Sequence, residues 1–247
     1  MERCGLINIF LRSLLIQSSF NFRRMQNLGF AFSMIPLIGS LANGRREVSQ
    51  LLVRHLQAFN THPYFSGPVI GSVVTMEETA IADQSGSADD AADLKRSLMG
   101  PYAALGDSFF WGSLRPFSAI VGVTLAVGGS LAAPGAFLLL YNPSHIWVRW
   151  RGFIEGYRRG RLGVEFIKAL DLLVVARRIR WASLVVLAIL AAVTSQQICR
   201  ASAAPDMLMM LALLAFVLLC FLAIRRGVSE IKLLYGMAFL FVVVSFI

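Results

Sequence analysis

The sequence is short of charge. Only 15% of its 247 residues are Asp, Glu, Lys or Arg, while 57% are hydrophobic; soluble chains carry roughly 25% charged residues. So few polar side chains cannot cover a soluble domain, and lipid is the expected solvent for part of the chain. Cysteine is also scarce. Cys4, Cys199 and Cys220 lie far apart and form no CxxC, which excludes a disulfide framework and a zinc site and leaves them as small buried hydrophobes. There is no GxSxG, HExxH, Walker loop or Rossmann fingerprint, and Gly100-Pro101 with Gly106 lack the spacing of a phosphate cradle. No catalytic residue, cofactor or metal is therefore expected. No cleavable signal is expected either: the apolar stretch Leu6 to Ile16 is broken by Asn8 and Arg12, with no small-residue cleavage site after it. The net charge of +9 does not indicate nucleic acid, because the basic residues cluster beside apolar runs instead of studding a polar, aromatic-rich surface.

What is present divides in two. Residues 1–119 mix apolar and polar residues finely, whereas residues 120–247 carry long charge-free runs between Arg-rich segments. Those runs are Ile120 to Tyr141 (22 residues), Trp181 to Ile198 (18), Met207 to Ile224 (18) and Leu233 to Ile247 (15). A spanning helix needs about 20 apolar residues. The expected fold is an all-α integral membrane protein, a single membrane domain over 1–247 with about four membrane helices in its C-terminal half. Gly128-Gly129 and Pro134-Gly135 mark the first run as kinked or broken. Residues 142–180 hold eight arginines and Lys168 against Glu155, Glu165 and Asp171, a net of +6. Residues 199–206 net zero and 225–232 net +2. Positive loops stay inside, which puts 142–180 and 225–232 in the cytoplasm, and 199–206 and the C-terminus outside.

In the N-terminal half, Glu47 to Phe59 reads as an amphipathic helix, with Val48, Leu51, Leu52, Leu56 and Phe59 on one stripe, stopped by Pro63. Leu6 to Leu15 shows a similar pattern; such helices lie on a membrane or pack against a partner. Tyr64 to Met76 is too short to span and carries Gly67-Pro68 and Gly71. Leu98 to Ala119 is interrupted at Gly100-Pro101, Gly106-Asp107, Gly112 and Pro116. These are expected as re-entrant or broken helices, which survive at membrane depth only when buried or lining a cavity and which build transporter sites. Ala82 to Asp93 reads as a solvated loop.

The candidate binding residues sit at these breaks. Asn60, Thr61 and His62 bring an amide, a hydroxyl and an imidazole together, the donor–acceptor set that sugar hydroxyls require; the same side chains could satisfy a helix end. Of Glu77 and Glu78, one suits vicinal hydroxyls and the other structure, unless both are solvated among headgroups. Asp107, with Trp111 four residues on, pairs a carboxylate with an aromatic face for the two sides of a sugar, or caps a helix starting at Ser108. Arg115 is expected to pair with Asp107 or Glu78. His55 reads as a helix-face residue and His145 as solvated.

Three long stretches, in order, resemble one family: Phe20-Asn21-Phe22-Arg23-Arg24-Met25-Gln26 with Leu28-Gly29-Phe30 and Met34-Ile35-Pro36; Arg54 through Pro63; and Leu98-Met99-Gly100-Pro101-Tyr102 through Trp111-Gly112, running into Leu114-Arg115-Pro116. They are similar to the D component (IID) of mannose/fructose/sorbose-type sugar phosphotransferase system (PTS) permeases. Thr75 to Glu78 and Lys95 to Ser97 match that pattern loosely, and the segment between the last apolar runs is short. The resemblance implies a polytopic C component as membrane partner in a hetero-oligomer. It also implies soluble A and B components that relay a phosphoryl group from phosphoenolpyruvate through their own histidines, and a bacterial inner-membrane location. It implies no phosphorylated residue on this chain, and sugar or gate contacts at Asn60, Thr61, Glu77, Glu78 and Asp107. A second reading is a membrane scaffold or receptor of the same family that docks a cytoplasmic protein through residues 142–180.

Overall fold

A computed structural model describes residues 3–82, 88–201 and isolated positions between 211 and 239. The expected spans 207–224 and 233–247, and most of the two loops before them, lie largely outside the described residues. Contacts divide the chain into two compact units, Met1–Ala191 and Ala192–Ile247; the packing below belongs to the first. The described residues are mostly helical, with isolated bridges at Asn21–Met25 and Met25–Phe59. The helices are α1 (Arg3–Ser13), α2 (Asn27–Leu41), α3 (Arg45–His55), α4 (Ser66–Ala82), α5 (Ala88–Gly106), α6 (Arg115–Val127), α7 (Ala133–Arg159), α8 (Glu165–Ala169) and α9 (Leu172–Ala201).

The amphipathic helix expected over 47–59 is α3, and it ends earlier, at His55. Beyond it the backbone N–H of Phe59 bonds to the Arg24 carbonyl (3.3 Å), outside any helix. At its start, the Glu47 carboxylate accepts the backbone N–H of Asn43 at 2.9 Å, which satisfies one of the loose donors of a helix entry. Ala88 to Asp93, expected in a loop, forms the first turns of α5.

The centre of the unit is the pairing of α4 with α7. Sequence reasoning took Gly67 and Gly71 as interruptions; they lie instead inside one continuous helix, on a seam. Gly67 and Gly71 on α4 meet Gly152 and Gly156 on α7, both at a four-residue spacing that returns to one helix face. A Cβ on Gly67 would come within 2.6 Å of the Arg149 carbonyl, and on Gly71 within 2.9 Å of the Tyr157 N–H. Gly152 packs on the Pro68 ring, and a Cβ on Gly156 would lie 2.9 Å from the Ser72 amide. Absent side chains let the backbones approach, the device that joins helices in lipid, where apolar burial gives no net drive. The Thr75 hydroxyl crosses the seam to the Tyr157 carbonyl. Pro68 sits in the first turn of α4, where a missing N–H costs nothing.

The stretch expected to be broken over 98–119 is not broken. α5 runs through a π-helical segment, Asp107–Leu114, straight into α6. Pro116 offers no N–H to close a regular turn and crowds the carbonyl four residues back. The ladder widens instead: Arg115 N–H reaches Phe110 O, and the Ser113 hydroxyl reaches Ser108 O at 2.8 Å. Such bulges recur at functional sites. Within Asp90–Val127, 38 continuous helical residues contain a window long and apolar enough to cross a bilayer, by length and composition, and no second such stretch occurs among the described residues.

The run Ile120 to Tyr141 is broken at its glycines. α6 ends at Val127, Gly129 takes φ 79°, and α7 folds back against α6 with Gly122 facing Phe137. Residues 142–180, expected as a loop, are mostly helix: α7 continues to Arg159, a 3-10 turn covers Gly160–Val164, α8 follows, and α9 begins at Leu172. Apolar side chains point outward from α7 and α9, with Leu139 75%, Trp181 67% and Val185 62% exposed, as suits lipid contact.

Candidate functional site

The segment after α3 is held from the far side of the sequence. Met25 turns the chain at φ 58°, and Asn21 and Met25 exchange both backbone hydrogen bonds. Gln26 then grips the segment: its N–H bonds the Phe59 carbonyl (2.8 Å), its Nε2 the Thr61 carbonyl (2.8 Å), and its Oε1 accepts the Thr61 N–H (3.2 Å). Asn27 Nδ2 bonds Leu56 O at 2.9 Å. Gln26, Asn27 and Thr61 are all buried. The motif Phe20 to Gln26 therefore positions Asn60, Thr61 and His62.

Asn60 is exposed, and its backbone N–H points at the Met99 sulfur, 3.3 Å away. The Thr61 hydroxyl is buried with no partner among the described residues. His62 caps the 3-10 turn Pro63–Phe65 by accepting the Tyr64 N–H at its Nδ1, 3.3 Å. An Nδ1 that accepts places the proton on Nε2, and that buried donor has no partner among the described residues. Burial first, then the Arg149 charge, pushes the His62 pKa down to about 3. The ring stacks on Phe110 (5.1 Å, 16°) and meets the Trp111 edge at 4.8 Å. Gly106 leaves no room for more than a hydrogen against the imidazole.

Asp107 follows Gly106 and opens the π-helical segment; it lies inside a continuous helix and so does not cap one. Asp107 and Trp111 are both exposed, the latter by 43%. Asn60, Asp107 and Trp111 thus flank one buried, aromatic-packed histidine. Behind it, Tyr64 OH and Tyr141 OH bond at 3.0 Å, the His145 ring stacks on Tyr64 at 4.4 Å, and the Arg149 guanidinium lies 4.7 Å from the Tyr64 ring centre. His145, expected to be solvated, is instead part of this cluster and bonds Asn142 at 3.2 Å. Arg115 is exposed at the start of α6, and no ion pair joins it to Asp107 or Glu78 among the described residues.

The two glutamates lie elsewhere. From Ser66 to Glu77 is 11 residues along α4, roughly 16 Å at 1.5 Å per residue. Glu77 is 1% exposed and binds Arg54 Nη1 at 2.7 Å, with His55 Nε2 3.5 Å from its other oxygen. That second contact is not an ion pair: burial first, with the Lys95 and Arg54 charges, lowers the His55 pKa to about 3 and keeps the ring neutral. Buried Lys95 lies 4.3 Å from the Phe30 ring centre and reaches His55 O at 3.4 Å. Glu78 turns to the Tyr157 hydroxyl. Glu77 is accordingly the counter-charge of a buried cluster joining α3, α4 and α5.

The profile of the PTS mannose/fructose/sorbose family IID component, EIID-AGA, matches residues 1–247. This chain belongs to that family, and it is a membrane protein. It is 42% identical over 155 residues to the mannose-specific EIID component of Escherichia coli K12, covering 62% of this chain and 54% of that protein. It is 42% identical over 158 residues to the sorbose-specific EIID component of Klebsiella pneumoniae, with 63% and 57% coverage. It is 37% identical over 155 residues to the fructose permease IID component of Bacillus subtilis 168, with 63% and 56% coverage. The chain thus spans about half the length of the curated relatives it matches. A solved membrane-protein chain superposes with a TM-score of 0.74 at 27% identity over 98% of this chain and 96% of that one. A chain from the mannose transporter ManYZ in complex with microcin E492 gives 0.61 at the same identity and coverage.

Sequence reasoning missed Gln26, Arg54 and Lys95 as positioning groups, and Tyr64, Tyr141 and Arg149 as neighbours of His62. Gln26 had a signal, since it closes the most regular motif of the N-terminal part. Nothing local ties Tyr64 to Tyr141, 77 residues away.

Proposed function

We propose that this chain is the membrane subunit of a mannose-family PTS permease and forms, with a C component, the pathway for sugar uptake coupled to phosphorylation by soluble A and B components. The observation that carries this is the His62 arrangement. An exposed amide (Asn60), carboxylate (Asp107) and indole (Trp111) surround a buried platform, which suits the hydroxyl rim and C–H face of a pyranose. Thr61 and His62 support that platform, and Arg115 stands exposed at the start of α6, just past the π-helical segment. Glu77 and Glu78 act at one remove, tying α4 to its neighbours. The π-helical segment and the α6–α7 turn are the irregular backbone that alternating access needs, with one bundle rocking against another around the bound sugar. In this reading residues 1–247 form one domain of a hetero-oligomer in the bacterial inner membrane, with 142–180 and 225–232 cytoplasmic and the C-terminus outside. Phosphoryl transfer stays on the soluble components, and this chain needs no cofactor. The test is phosphoenolpyruvate-dependent sugar uptake in cells lacking their own mannose permease, with the chain and a C component co-expressed. Uptake that needs this chain and collapses in Asn60→Ala or Asp107→Ala supports the proposal. A stable complex that takes up no hexose or amino sugar points instead to a scaffold.

A further inference from the structure

Two cavities meet at one arginine. The first, about 400 Å³, lies between α1 and α7 and is walled by Leu6, Ile7, Trp150, Phe153 and Ile154, with Tyr157 and Arg158 at its end. It is open and apolar: Ile7 is 49% and Trp150 43% exposed. Phe10 braces two of its walls, packing edge-on against Trp150 (4.8 Å) and tilted against Phe153 (5.6 Å). The second, about 390 Å³, lies where α7 ends against α4 and is lined by Arg158, Arg159, Arg161, Thr75, Thr79 and Asp90, among others. Gly160, at φ 53°, turns the chain so that Arg161 returns over α4. Arg158 lines both cavities.

The charges there are not all committed. Arg159 and Arg151 both bind Glu155, at 2.9 Å and 3.1 Å. Arg158 and Arg161 are exposed and form no ion pair among the described residues. Asp90 offsets one of these charges, so a net cationic patch remains beside an apolar trough. Trp150 and Tyr157 mark the level at which amphipathic rings sit between acyl chain and headgroup.

We propose that this double cavity is a binding site for an anionic glycerophospholipid. One acyl chain lies in the α1–α7 trough, and the headgroup phosphate is held by Arg158 and Arg161. Zwitterionic lipid fits the trough but adds an ammonium where the protein is already cationic. Basic pockets between membrane helices on the cytoplasmic side favour anionic headgroups. The same arginines give residues 142–180 their inward bias, so the site faces the cytoplasmic leaflet. The site requires a chain in a membrane and is independent of sugar transport or of a C component.

The test uses the full-length chain purified in detergent and lipids with brominated acyl chains, which quench tryptophan on contact. Subtracting the signal of Trp150→Phe isolates Trp150 from Trp111, Trp147 and Trp181. Brominated phosphatidylglycerol should quench Trp150 saturably and at lower mole fraction than brominated phosphatidylcholine. Arg158→Gln and Arg161→Gln should each weaken phosphatidylglycerol binding about fivefold, leaving phosphatidylcholine unchanged. Both side chains are exposed, and near-ultraviolet circular dichroism checks that each variant is folded; if one is not, the other carries the comparison. Glycerol phosphate separates a lipid from a soluble phosphate. It should compete only at concentrations far above those of the lipid. Equal quenching by the two lipids, no response to either substitution, or competition by glycerol phosphate as effective as the lipid itself would each overturn the proposal.

Discussion

Gly106→Ala is a small change with a worked outcome. In an ordinary helix it would help, because replacing an interior glycine by alanine gains about 0.5–1 kcal/mol. Gly39, near the end of α2, is such a position: a Cβ there meets nothing within 4 Å, and Gly39→Ala should stabilise by roughly that amount. At Gly106 the new methyl would land on the His62 side chain, with Nδ1 at 2.9 Å and Cβ and Cγ closer still. His62 cannot step aside, since Phe110, Trp111 and Tyr64 pack around its ring. Overpacking a rigid core costs about 1–3 kcal/mol; taking about 2 and subtracting the helix gain leaves a net loss of about 1 kcal/mol. For a chain of this size that is a melting-temperature fall of roughly 2–4 °C. Thermal unfolding of the purified protein, with Gly39→Ala alongside, reads the difference. Sugar uptake should fall further than stability, because the methyl displaces the platform between Asn60 and Asp107. A Gly106→Ala protein as stable as Gly39→Ala, with uptake intact, would refute the His62 contact as the element that fixes the site.

Other expectations follow from the buried polar groups. Gln26→Ala strands the Thr61 N–H and carbonyl, costs about 2–6 kcal/mol for two buried backbone groups, and should abolish uptake although Gln26 lies outside the site; chemical denaturation and uptake are the measurements. Glu77→Ala leaves buried Lys95 and half-buried Arg54 without their counter-charge, and breaking such a pair costs about 3–5 kcal/mol, reduced by the solvent that reaches Arg54. Thermal unfolding should show Glu77→Ala well below Glu78→Ala. His55 gives a pH dependence with a defined sign. Its folded pKa, about 3, lies below its ordinary 6.5, so the unfolded state binds the extra proton. Its contribution is complete above pH 6.5 and is lost as pH falls toward 3; His62 adds a limb of the same sign over the same window, so His55→Gln should reduce the slope of a stability-against-pH curve there by about half.

The family-bearing motifs were legible because each does a local job: Phe20 to Gln26 makes a turn, and Arg54 to Pro63 ends a helix and caps a 3-10 turn. Glycine and proline were harder to read. Gly67 and Gly71 look like breakers along one chain and become a seam only when Gly152 and Gly156 lie opposite, 81 to 89 residues on. Pro116 signalled a break, yet the helix absorbed it by widening, since residues 107–114 could shift their bonds to the carbonyl five back. The glutamate pair showed the limit of composition. Two carboxylates at a helix end look alike, and only their partners, Arg54 for one and Tyr157 for the other, separate them. His145 read as solvated because Tyr64 is remote in sequence. The break that held is at Gly128-Gly129, where Gly129 takes a positive φ and α7 turns back against α6, whereas the helix expected to run on to Phe59 stops at His55 because Gln26 and Asn27 take up the backbone groups beyond it.

Sugar binding to this chain purified after co-expression with a C component tests the central claim most directly. Isothermal titration with mannose, fructose, sorbose and an amino sugar should give one saturable site for at least one of them. Asp107→Ala should weaken it by roughly 10- to 100-fold, as expected for losing a charged hydrogen-bond acceptor, with unfolding unchanged because Asp107 is exposed. Saturable binding that Asp107→Ala and Asn60→Ala leave untouched would put the sugar elsewhere and contradict the proposed site around His62.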